Sequence, residues 1–188
     1  MNFSAVILAG GKSSRMGRDK AFLDIGGQTL LARQIKLASE IGAAEVFISG
    51  HTNADYSAFG CRVLHDQFAA AGPLAGIERV LTAATSPLLL VLAVDLPEMN
   101  VEFLRRLAAH CANGSGAIPR VMENIEPLAA YYPKAAQPLA ETLLCAGKKA
   151  VAGFAEQCGR AGLARFVDLT AGDARYFANM NTPADVHP

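Results

Sequence analysis

Apolar residues fall along this chain in short unbroken runs, separated by stretches with helical spacing. Phe3–Leu8 is the first run, and it stops at Gly10-Gly11. A short apolar run closed by glycine reads as a strand buried on both faces of a parallel sheet. Over residues 29–41, Leu30, Leu31, Ile35, Leu37, Ala38 and Ile41 share one face of a helix, and Gly42 stands where its C-terminal cap belongs. Residues 45–49 form the next predicted strand, and Arg62–Leu64 a shorter one near an edge. Pro73 opens a helix with Leu74, Ile77, Leu81 and Ala84 at helical spacing. Residues 88–94 are the most apolar run and predict a central strand that ends at Asp95-Leu96-Pro97. Helix follows over residues 101–111.

The first half therefore alternates strand and helix. That order predicts a three-layer α/β fold, a mainly parallel open sheet with helices on both faces and right-handed crossovers. In the second half, Gly116–Val121 and residues 127–132 read as strands, 135–145 and 148–157 as helices, and 165–169 as a strand. With 188 residues and no repeat, linker or low-complexity segment, the expectation is one domain over residues 1–188.

Composition adds exclusions. Hydrophobic residues make up 52% and charged residues 18%, enough for a sizeable core. Lys+Arg and Asp+Glu both number 17, so no general electrostatic pull draws the chain to nucleic acid or an anionic membrane. Any bound anion must be held by local groups. The first residues carry no basic stretch of a signal peptide, and no window approaches a membrane span. Cys61, Cys111, Cys145 and Cys158 form no CxxC pair. They read as free thiols of a cytoplasmic protein rather than as a disulfide or zinc framework.

In open α/β sheets, ligands bind beyond the carboxyl ends of the strands. Three such ends carry unusual residues. The first is the stretch Leu8-Ala9-Gly10-Gly11-Lys12-Ser13-Ser14-Arg15-Met16-Gly17-Arg18-Asp19-Lys20. Adjacent glycines allow a tight turn that offers N–H groups to an anion, and Lys12, Arg15, Arg18 and Lys20 add four cations. The loop fits neither GxGxxG nor GxxxxGK[ST], which removes the dinucleotide and P-loop patterns. The second is Asp95, which suits either a hard cation such as Mg²⁺ shared with substrate phosphates or the N-cap of the next helix. The third is His65-Asp66, leading to Gly72-Pro73-Leu74-Ala75-Gly76. There Asp66 serves either a nucleoside or metal-bound water, or only a local turn. Asn179-Met180-Asn181-Thr182-Pro183 reads either as a helix start or as part of a site. His51, His65, His110 and His187 have no metal-ligand spacing.

Together these stretches resemble the molybdenum cofactor guanylyltransferases (MobA type), within the wider family of sugar- and cofactor-nucleotidyltransferases. The matching pieces run from Leu8 to about Pro183. Leu8-Ala9-Gly10-Gly11, Arg15-Met16-Gly17 and Asp19-Lys20 carry the wider family's signature. Gly72 to Gly76, Asp95-Leu96-Pro97 and Asn179 to Pro183 are similar to the guanylyltransferase branch. The resemblance implies a Rossmann-like nucleotidyltransferase fold and GMP transfer from GTP to the terminal phosphate of molybdopterin, with pyrophosphate released. It implies that Leu8, Ala9 and Gly10 contact the nucleotide through backbone groups, and that Gly11, Arg15 and Lys20 hold the triphosphate. Asp66 would sit in the GTP site, Asp95 would bind Mg²⁺, and Gly76, Asn179 and Asn181 would lie toward the pterin. Arg15, Lys20 and Asp95 become the expected catalytic set. Partners would be proteins that deliver or receive the cofactor, such as other cofactor-biosynthesis proteins or molybdoenzyme chaperones. Two positions depart from the pattern: Ser49 replaces a nucleotide-contacting Asn, and Glu126-Pro127-Leu128 replaces His-Pro-Thr. Cytidylyltransferases acting on the same pterin share the loop and the Asp, and sugar-phosphate nucleotidyltransferases share the signature. A GTP sensor would share the loop without needing Asp95. An NAD(P) oxidoreductase would need an acid where Ser49-Gly50-His51 stands.

Overall fold

A computed structural model describes residues 1–10, 20–65, 68, 71–112 and 114–180. In chain order the strands and helices are β1 (Phe3–Leu8), β2 (Asp24–Ile25), β3 (Gln28–Thr29), α1 (Leu30–Glu40), β4 (Val46–Ser49) and β5 (Arg62–Leu64). There follow α2 (Pro73–Ala83), β6 (Leu88–Ala93), α3 (Val101–Ala108), β7 (Gly116–Val121), β8 (Asn124–Ile125) and β9 (Ala129–Pro133). The last are α4 (Gln137–Cys145), α5 (Val151–Arg160) and β10 (Ala164–Leu169).

The main sheet has the order β10-β7-β9-β6-β1-β4-β5, with β8 beside β7. β1 runs parallel to both β4 and β6, and β5 parallel to β4. β9 is antiparallel to both its neighbours, β6 and β7. This is the mainly parallel open sheet that the alternation predicts, with the most apolar run, β6, at its centre and β5 at an edge. All six residues of β1 and of β6 are buried, because helices cover both faces. Ala5 and Ile7 of β1 pack in one core layer with Leu31 of α1 and Phe103 of α3. Val6 and Leu8 point the other way, against Leu74 of α2, Ala140 of α4 and Phe154 of α5.

Local signals set most boundaries. Thr29 caps α1 by accepting from the Ala32 amide at 3.2 Å, and Gly42 follows the helix with φ 90°. α3 is capped by Asn100, whose side chain accepts from Phe103 N at 2.8 Å. Asp95 is therefore not the cap of that helix, and the choice left open by the sequence is resolved against the N-cap. Several ends move inward, among them α3, which stops at Ala108, β9, which begins at Ala129, α4, which begins at Gln137, and α5, which begins at Val151. The β2–β3 hairpin was not predicted. Its two-residue turn, Gly26-Gly27, has φ of 62° and 85°, the positive values a primed turn requires.

The 3₁₀ segment Ala171–Phe177 carries the chain back toward β6. A capping box between Thr170 and Asp173 opens it, and Arg106 of α3 pairs with the Asp173 carboxylate. The Arg106 guanidinium and then the Thr170 groups hold that carboxyl below its ordinary value. A lowered folded pKa means that the contribution is present above the ordinary carboxylate range and lost as pH falls through the folded value. Asp173→Asn should therefore lower Tm at pH 7 by ~2–4 °C, the size expected for a lost cap in a chain of this length. The difference between variant and parent should close as pH falls from ~4 toward 2 in thermal melts. A gap that persists at low pH would mean the carboxylate charge is not what holds the segment.

Candidate active site

The ends of β1, β4 and β6 stand level: Leu8 pairs with Ser49 on one side and with Ala93 on the other. The chain leaves this rim through tight backbone ties. Ser49 O accepts from Ala9 N at 2.8 Å and from Gly10 N at 3.1 Å, and Leu8 O accepts from Val94 N at 3.2 Å. The Gly10 amide is thus spent inside the protein. Gly10 has no positive φ, and a Cβ there would meet only ordinary contacts at 3.8 Å among the described residues. Neither backbone conformation nor packing among the described residues demands the glycine. Gly11, Arg15, Asp66 and Asn181 lie outside the described residues.

Lys20 enters the same rim from the far end of the loop. Its Nζ lies 3.5 Å from Asp95 Oδ2 and donates to the Met180 carbonyl at 3.2 Å. Met180 N in turn donates to the Asp95 carbonyl at 2.9 Å. Residues from three distant parts of the sequence therefore meet beyond β6. The side chains of Lys20 and Asp95 keep 21% and 24% of their surface exposed, so both stay reachable from solvent. Asp95 lies two residues past the end of β6, beside the last residues of β1.

Ser49 and Gly76 explain each other. Ser49 is buried, and a Cβ on Gly76 would fall 2.2 Å from Ser49 Oγ and 3.3 Å from Leu8 Cδ2. Close packing of α2 on the strand ends requires that glycine. Gly72 caps α2 with φ 69°, and Pro73 takes its first turn. Asn179 is exposed and lines a cleft of about 350 Å³ beyond β6 and β9, walled in part by Pro73, Leu96, Glu126, Leu128 and Phe177.

Two contributors were missed in the sequence. Gln34, fully buried on α1, donates through Nε2 to the Leu96 carbonyl at 2.8 Å and so fixes the turn that follows Asp95. Its signal was a polar residue on the apolar face of α1. Tyr56 accepts from His51 N at 3.1 Å through its hydroxyl and lies against Gly50, where a Cβ would meet its ring at 2.4 Å. No local pattern announces that contact.

Mg²⁺ in phosphate chemistry is held by one or two carboxylates with phosphates and water. Among the described residues, no three His, Cys, Asp or Glu side chains come together. One partly exposed carboxylate, beside the Lys20 ammonium that a substrate phosphate could engage, meets the less demanding requirement, so Asp95 fits such an ion.

The MobA-like NTP transferase domain model matches residues 5–161. The chain belongs to that family. Membership makes it a nucleotidyltransferase, and the match runs from β1 to the residue after α5. A relative from Opitutus terrae, curated as a probable molybdenum cofactor guanylyltransferase, is 37% identical over 185 residues, covering 97% of this chain and 92% of its own. One from Syntrophotalea carbinolica, named molybdenum cofactor guanylyltransferase, is 32% identical over 188 residues, covering 97% and 88%. The crystal structure of molybdopterin-guanine dinucleotide biosynthesis protein A from Archaeoglobus fulgidus shares the fold with a TM-score of 0.74 at 23% identity, covering 97% of this chain and 94% of that one. No helix among the described residues is long and apolar enough to cross a membrane.

Proposed function

We propose that this chain is a single-domain, Mg²⁺-dependent molybdenum cofactor guanylyltransferase that draws GTP from the cytoplasmic pool. The observation that carries the reading is the meeting of Lys20 with Asp95 and Met180 beyond the level ends of β1, β4 and β6. The names of relatives that span nearly all of the chain supply the substrates.

A terminal phosphate oxygen of molybdopterin attacks the α-phosphorus of GTP in line. The new P–O bond forms as the bond to the β-phosphate breaks, and pyrophosphate leaves with the electron pair. A phosphate monoester is already anionic near neutral pH, so the step needs no strong base. The chain's task is then to position two anions and offset their charge. Two phosphate charges about 4 Å apart repel by several kcal/mol at an effective dielectric near 20. Lys20, with Arg15 and Gly11 of the loop, would hold the departing phosphates, while Leu8, Ala9, Gly10, Ser49 and Asp66 bound the nucleotide. Gly76, Asn179 and Asn181 belong to the acceptor side. Asp95 would hold Mg²⁺, which supplies charge neutralisation between the α-phosphate and the acceptor. A partner protein that hands over the labile cofactor fits this reading.

Calorimetry with GTP, CTP, ATP and UTP in the presence of Mg²⁺, followed by pyrophosphate release on adding acceptor, tests the proposal. GTP should be preferred. A preference for CTP would assign the chain to cytidylyl transfer, and GTP binding without pyrophosphate release would make it a sensor. Lys20→Ala should weaken GTP binding or turnover by at least ~10-fold, through loss of charge-assisted bonds. Lys36→Ala should change either by less than ~2-fold, because the Lys36 side chain is 65% exposed and pairs with Glu40 at 3.7 Å on its own helix. Equal effects would remove Lys20 from the phosphate site.

A further inference from the structure

The cleft beyond β6 and β9 contains a carboxylate that the nucleotide chemistry leaves unused. Glu126 stands between β8 and β9, its amide donating to the Pro119 carbonyl at 2.9 Å. Its side chain is half-buried and takes no hydrogen bond or ion pair from the described residues. Burial pushes its carboxyl above the ordinary value. The surrounding wall is mainly apolar, with Ala93, Leu96, Leu128 and Phe177 among its residues, and Lys149 and Asn179 also line it. An acceptor group held among such walls costs free energy until donors reach it. A cavity of about 350 Å³ with mainly apolar walls and a few polar groups has the character of a small-molecule site, in which the walls hold a ring and the polar groups orient it.

We propose that Glu126 is a specificity residue that reads the 2-amino-4-oxopyrimidine edge of the acceptor's pterin. This rests on the reading of the chain as a molybdopterin nucleotidyltransferase. That edge presents a ring N–H and an exocyclic N–H side by side, which a carboxylate accepts as a pair. Guanine carries the same edge, so the position of the cleft decides between the two. The cleft opens over β6 and β9, whereas the glycine turn is tied to β4 through Ser49, on the other side of β1. Asp95, following β6, stands between the two regions, where a phosphate from each side would meet. A carboxylate repels phosphate, so the Glu126 end of the cleft suits the uncharged ring, and the acceptor's phosphate suits the Lys20 ammonium beside Asp95.

The test is calorimetry on the full chain with two probes, neopterin and Mg²⁺-GTP, for the parent, Glu126→Gln and Glu126→Ala. Both variants should bind neopterin at least ~10-fold more weakly, the size of a lost charge-assisted pair. Both should bind Mg²⁺-GTP within ~2-fold of the parent, which also shows that they are folded. Loss of GTP binding with neopterin retained would assign the carboxylate to guanine and overturn the proposal. Unchanged neopterin binding, equal loss of both probes, or no neopterin binding by the parent would overturn it too. A parent that releases no pyrophosphate from GTP with acceptor defeats the guanylyltransferase reading itself. Normal parent turnover with unaltered neopterin binding in the variants defeats only the role of Glu126.

Discussion

Asp95→Ala should cut turnover by at least ~10²-fold while leaving the chain folded. The carboxylate has a single ion pair among the described residues, with Lys20 at 3.5 Å, and both partners are partly exposed. Such a pair contributes ~0–1 kcal/mol to stability. The tie that closes the rim uses the backbone, since Met180 N donates to the Asp95 carbonyl, and alanine keeps that carbonyl. The turn is also held from below by Gln34 through Leu96. Melting within ~2 °C of the parent, together with the lost turnover, would place the effect in chemistry rather than folding. GTP titrations with and without Mg²⁺ give a second readout: the gain in affinity from the ion should shrink in the variant. Parental turnover in Asp95→Ala would end the assignment of the metal to this residue.

The largest stability effect should come from Gly116→Ala. Gly116 opens β7, and a Cβ there would fall 2.1 Å from the Tyr131 carbonyl oxygen of β9. That obstacle is backbone in a buried strand, so no rotamer change relieves it. The Gly116 amide is also fixed to the Leu163 carbonyl at 2.9 Å. Separating β7 from β9 disturbs the sheet interior, and a cost of ~3 kcal/mol or more is expected. Gly153→Ala is the natural control. It lies within α5 with nothing near its Cβ position, and replacing it should stabilise by ~0.5–1 kcal/mol. Denaturant unfolding of both variants should move in opposite directions; similar midpoints would refute the steric argument.

The parallel frame was legible because its strands are buried on both faces and so appear as unbroken apolar runs. β1 and β6 follow directly from that pattern, and β5 at the edge follows from its shortness. The β2–β3 hairpin was not legible by the same rule, since two-residue strands have no period to read. Its only trace was the pair Gly26-Gly27. The site divided in the same way. Asp95 was visible as an acid ending the central run, and Lys20 as a cation ending a glycine loop. That Lys20 would reach the carbonyl of Met180, 160 residues later, depends on a tertiary closure no local spacing encodes. The packing constraint on Gly76 was illegible for a similar reason: it comes from Ser49 on another element.

The one reversed strand between β6 and β7 has an evolutionary consequence. A parallel strand brings its end to the active rim, but β9 brings its beginning, so the turn preceding it delivers Glu126, Pro127 and Leu128 to the cleft. Insertions or exchanges in that turn would alter the cleft wall and leave the glycine-rich loop after β1 untouched. Descendants of such a frame can trade one acceptor for another while inheriting the donor half unchanged.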